Sequence, residues 1–167
     1  MELHSLLEKK KSTILNEWLT AILDTYPDDT ATFLKDEKDV FANPVGHTIA
    51  ANAANILEGL IRGEDANAQS VHIEGIIRIR AVQHFTAVQA VSFVNSLKTV
   101  IIDQLKSDIS RHGLWDEWEE LQATVDNLTL LASNIYAKMQ ERIEHIRMKE
   151  IENNEKFLMK VIGSRIP

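Results

Sequence analysis

From about Leu114 to Gly163 the chain contains neither proline nor glycine. Within that stretch Leu121, Val125, Leu128, Ala132, Ile135 and Met139 recur at alternating spacings of four and three. That spacing is one face of a helix, because residues three and four apart lie one above another. A segment this long, with no breaker and one apolar seam, predicts a single long C-terminal helix. Past Met139 the seam thins among Glu, Lys and Arg, leaving Ile143, Ile146 and Ile151. A helix that begins in a core and continues as a charged rod is built to meet another chain or domain. The division expected is a helical sensor or regulatory domain over residues 1–142, with residues 143–167 extending the last helix into a tail.

The rest of the chain reads as helix too, since its β-branched residues fall at helical rather than alternating intervals. A first helix is predicted over about Ser5 to Leu23, ending before Tyr26-Pro27 because proline disfavours helical backbone in the residue before it. A short piece follows over Thr30 to Lys38. Asn43-Pro44 opens the next helix, asparagine as cap and proline in the first turn, and Gly63 closes it. Its alanines, Ala50, Ala51, Ala53 and Ala54, make it thin enough for a close neighbour. Another helix is expected from about Ala68 to Gln83. Thr86 and Gln89 then form a capping-box pattern that starts a largely apolar, central helix. The fold class expected is all-α, either globin-like or an antiparallel helical bundle with a long C-terminal helix.

Composition excludes several functions. A net charge of −7 opposes a phosphate backbone, so nucleic acid is not an expected partner. The chain has no cysteine, which removes disulfides and thiolate metal sites. The start MELHSLLEKKKS has no apolar signal core, and no run approaches the about 18 apolar residues that span a bilayer. A cytoplasmic location without membrane insertion is the expectation. There is no nucleophile elbow, P-loop or dinucleotide fingerprint, so no enzyme activity is expected.

Candidate site residues gather near one helix corner. Arg78 and Arg80 are two apart and point in different directions. Arg80 shares a stripe with Ile73, Ile76 and Ile77, so it must snorkel, bind an anion or meet a buried carboxylate. The last is the reading preferred, because buried charges are normally paired. Gln83 and Phe85 flank the same corner as ligand or internal polar contacts. Phe85 also suits a hydrophobic staple before the Thr86 cap. His84 reads as an exposed corner residue without function, with a pH-sensitive element as the second reading. Glu141, Glu144 and His145 lack the spacing of a carboxylate-bridged metal site, and no metal or other cofactor is expected.

Three stretches carry a family resemblance: TYPDDTATFL with FANPVGHT, IIRIRAVQHFTAVQAVSF, and NIYAKMQERIEHIRMKE. Over roughly Leu6 to Glu150 the chain resembles the N-terminal domain of RsbRD-type proteins, the RsbT co-antagonists of bacterial stressosomes. The resemblance implies an all-helical signal-input module related to non-haem globin-like sensor domains. It also implies a homodimer and a regulatory partner, a STAS domain or its kinase. Two departures stand out. The sequence stops soon after the linker helix, so it reads either as a piece of a longer protein or as a stand-alone version, and His84 stands where an acidic residue is expected. The globin-like alternative raises haem or another tetrapyrrole as a second reading, with His72 and His84 nearest an apolar helix face.

Overall fold

The computed structural model describes residues 2–164, which form six α-helices with no strand among them. They are α1 (Leu3–Leu23), α2 (Asp28–Asp36), α3 (Pro44–Ile61), α4 (Ser70–Val82), α5 (Ala87–His112) and α6 (Trp115–Gly163). The expected tail beyond Ser164 lies outside the described residues.

Local chemistry sets the helix ends. The Asn43 side chain accepts from the Gly46 amide at 2.8 Å, with Pro44 in the first turn. Thr86 and Gln89 complete a capping box, each side chain bonded to the other's backbone amide. Helix α1 begins at Leu3 and α2 ends at Asp36, each two residues from expectation, and two further starts differ for visible reasons. Helix α2 begins at Asp28 because the Pro27 carbonyl already accepts from Ala31 at 2.8 Å. Asp28 and Asp29 then sit in its first turn, where negative charge suits the helix dipole. Helix α4 begins at Ser70, not Ala68, since the Gln69 and Ser70 amides make tighter three-residue bonds to Ala66 and Asn67.

The five long helices close a ring: α1 packs on α3, α3 on α4, α4 on α6, α6 on α5, and α5 back on α1. Helix α2 bridges α1 and α3. Four of these contacts are antiparallel. Lys98–Asp126 and Thr129–Asn95 set α5 against α6. Lys10–Asp108 and Trp18–Phe93 do so for α1 and α5, and Lys11–Glu58 for α1 and α3. The α3–α4 crossing is close, for a Cβ on Gly75 would lie 2.5 Å from Asn52 Nδ2. An odd ring cannot alternate throughout, so α4 and α6 run in the same sense. Inside lie Trp18, Ile49, Ile76, Phe93, Leu97 and Leu128, all essentially without solvent contact. Trp18 Nε1–H donates to the Phe93 carbonyl at 2.7 Å, so its one polar atom is satisfied.

Helix α6 is 49 residues long, but its last buried residue is Ala132. Ile135, Tyr136 and Met139 pack partly against the core, and Ile143 is half-buried. From there to Gly163 the rod runs roughly 30 Å at about 1.5 Å per residue. Ile146, Met148, Ile151, Phe157, Leu158, Met159 and Ile162 are all exposed.

Asn43 is the clearest single test of how the α2–α3 connection is held. Its Nδ2–H donates to the carbonyls of Leu34 at 3.0 Å and Glu37 at 3.2 Å while its oxygen caps α3. Asn43→Ala removes a cap, one buried bond and one part-buried bond, and should cost about 2–3 kcal/mol in urea unfolding. A change under about 0.5 kcal/mol would mean the loop is held by something else.

Candidate functional site at the α4–α5 corner

The buried stripe of α4 is Ile73, Ile76, Ile77 and Arg80. Arg80 is therefore carried into the interior by the same periodicity that buries the isoleucines, and it has no solvent exposure. The expected carboxylate partner is not there. Nη1 donates to the Gln89 carbonyl at 2.8 Å, and Nη2 donates to the Ile22 carbonyl at 3.2 Å and to Thr25 Oγ1 at 3.0 Å. Three rings surround the guanidinium, with Cζ 4.9 Å from the Phe85 centroid, 5.5 Å from Phe93 and 5.7 Å from Tyr26. Nε finds no acceptor among the described residues.

Magnitudes explain how this arrangement holds without an anion. Burying a charge costs several kcal/mol after relaxation. Hydrogen bonds from a charged donor return about 1.5–3 kcal/mol each, and a desolvated cation–π contact about 2 kcal/mol. The Ile22 carbonyl lies at the C-terminal end of α1, the negative end of that helix. Burial holds Arg80 below the ordinary arginine range, and Tyr26 draws it partly back. Burial raises the Tyr26 phenol above its ordinary 10.0, with Arg80 opposing the rise.

The corner itself is tied on every side. Tyr26 stands edge-on to Phe85 at 5.2 Å, and its hydroxyl donates to Gln83 Oε1 at 2.9 Å. Gln83 is otherwise exposed. The ring of Phe85 covers Arg80, and its carbonyl accepts from the Tyr136 hydroxyl of α6 at 2.6 Å. Gln140 Nε2 reaches the Ala81 carbonyl at 3.4 Å. Between these, His84 takes φ 62°, the left-handed position usually left to glycine after a helix. The Phe85 amide then closes α4 on the Arg80 carbonyl at 3.3 Å. Elements α1, α4, α5 and α6 thus meet at one point.

Of the residues singled out from sequence, Arg80, Gln83 and Phe85 come together here. Arg78 does not; it is exposed and paired with Glu74 at 2.6 Å. Ile143 and Ile146 continue the core-facing line of α6, while Ile151 does not. At about 100° per residue, Ile151 belongs with Met148, Leu158 and Ile162 on a second apolar line, roughly 120° around the rod. Sequence reading missed Thr25, Tyr26, Tyr136 and Gln140. The two tyrosines carried a signal, since a tyrosine on an apolar face needs a partner for its hydroxyl. The haem alternative does not fit. Its axial histidine must point inward, yet His47 and His72 are half-buried and His4, His84, His112 and His145 exposed. The arrangement supplies a fixed charge, ring faces and directed hydrogen bonds, the means of binding and positioning.

Two outcomes follow. Arg80→Met strands no carboxylate, and its carbonyl partners keep other donors, as Thr25 Oγ1 to Ile22 and Ser92 Oγ to Gln89 show. It should therefore cost about 1–2 kcal/mol in urea unfolding, where a buried ion pair would lose 3–5 kcal/mol, roughly. Tyr26 adds a pH dependence. With its folded pKa raised, its contribution is whole below the unfolded value of 10.0 and is lost as pH rises through the folded value. Between 10.0 and the folded value, stability should fall less steeply in Tyr26→Phe than in the native chain, and identical slopes would refute the assignment.

No curated protein matches the chain, and no solved structure does. One family model matches, described as RsbT co-antagonist protein rsbRD N-terminal domain, over residues 12–150. The matched span runs from within α1, through the Arg80 corner, to the part of α6 that has left the core. The chain belongs to the RsbRD N-terminal domain family, a family of stressosome-type regulatory input domains.

Proposed function

We propose that this domain is a non-catalytic signal-input module in which the α4–α5 corner reports to α6, and α6 carries the change to a partner. The observation that supports it most is the pair of bonds from α6 to the corner, Tyr136 to Phe85 and Gln140 to Ala81. They lie where α6 leaves the core, so a shift of the corner bears on the rod at its point of exit. The first partner is a second copy of the chain. Helix α6 exposes large apolar side chains along its distal half, and a solitary helix in water is marginal without packing. A STAS domain or kinase-type regulatory protein of the cytoplasm is the downstream partner that family membership favours. No helix of the described residues is long and apolar enough to cross a membrane.

Light scattering should give about twice the chain mass of 18.9 kDa, and Ile146→Asp with Ile151→Asp should halve it without loss of the bundle's thermal midpoint. Tyr136→Phe should raise amide exchange over residues 148–162 severalfold while leaving α1 and α3 unchanged. A native monomer removes the self-pairing. Unchanged exchange removes the coupling of corner to rod.

A further inference from the structure

We infer that the cleft between the α4–α5 corner and α6 is a binding site for a small organic carboxylate. The inference deepens the coupling reading above and rests on it for its effect on α6. The cleft has a volume of about 360 Å³, within the roughly 300–1,000 Å³ of small-molecule sites. Phe85, Tyr136 and Ile143 give it an apolar wall, and His84, Gln140 and Arg147 its polar rim.

The rim chemistry selects the ligand. Arg147 enters none of the ion pairs among the described residues, although Glu144 and Glu150 lie three residues to either side. Its planar fork matches a carboxylate with two parallel bonds. The left-handed backbone at His84 brings that residue to the same rim as an N–H donor. Gln140 holds the Ala81 carbonyl only at 3.4 Å, so its amide can turn toward a ligand. The Tyr136 hydroxyl has its proton committed to the Phe85 carbonyl and offers only lone pairs. That end of the cleft repels an anion and takes the apolar body, leaving the acid group to Arg147. A phosphate fits less well. It has no apolar body to set against Phe85, Tyr136 and Ile143, so it gains nothing from that wall of the cleft.

The test uses the full chain with benzoate, benzamide and inorganic phosphate as probes, followed by amide and side-chain NMR. Benzoate should shift His84, Phe85 and the Gln140 side chain saturably, with benzamide and phosphate at least about tenfold weaker, or ~1.4 kcal/mol. Arg147→Gln, on an exposed position, should lose about tenfold in benzoate affinity with an unchanged melting midpoint. Equal binding of benzamide or phosphate, native affinity in Arg147→Gln, or no saturation would each overturn the site. Amide exchange over residues 148–162 separates the two ideas. If benzoate binds and that exchange does not move, the site holds and the coupling falls. If benzoate fails to bind while Tyr136→Phe alters exchange, the coupling holds and the site falls.

Discussion

A buried guanidinium with no carboxylate beside it governs the upper end of this domain. A lone anion would satisfy Arg80 from one direction and leave the neighbouring helices free to move. Here the charge is answered by a carbonyl and a hydroxyl at the end of α1, a carbonyl in the first turn of α5, and rings from both sides. Each of these groups is weak alone, and together they come from the end of α1, the α4–α5 corner and α5. The geometry of the corner is therefore a joint property of α1, α4 and α5, and none can shift without changing how well the charge is solvated. Replacing a buried ion by apolar atoms is often neutral for stability. What the charge supplies here is direction, since hydrogen bonds have an angle and apolar contacts have little.

Parity places that corner where it matters. With five helices in a ring, one neighbouring pair must run in parallel, and here it is α4 with α6. The C-terminal end of α4 and the outgoing half of α6 consequently share one end of the bundle. The end of α1 is there too, which is why Ile22 can reach Arg80. Had α6 run the other way, its free half would leave the domain beside Gln69 and the acidic residues of the opposite end.

Much of this was legible from sequence, and the reasons differ by residue. The starts of α3 and α5 are local chemistry: Asn43-Pro44 and the Thr86–Gln89 pair need only their own few residues, and both behave as their types dictate. The burial of Arg80 follows from the stripe it shares with three isoleucines. Its partners were not legible, because two of the three hydrogen-bond acceptors are main-chain carbonyls, which every residue possesses. No side-chain pattern marks which carbonyl will be met across the fold. Gln140 was invisible for the converse reason, being one polar residue among many on a charged helix. Ile143, Ile146 and Ile151 stand at spacings of three and five, which do not keep to one face, and the second apolar line emerges only when Met148, Leu158 and Ile162 are placed with Ile151.

The lack of any breaker between Trp115 and Gly163 has a mechanical consequence. A helix without proline, glycine or a kink bends little over twenty residues, so its free half behaves as a lever whose fulcrum is the last packed turn near Ile143. A tilt of about 5° there, no larger than the slack in an ordinary side-chain contact, sweeps the tip through roughly 2.6 Å at a lever length of about 30 Å. Half an ångström of play at the corner is thus magnified to the size of a methyl group at the far end, with no hinge and no stored strain.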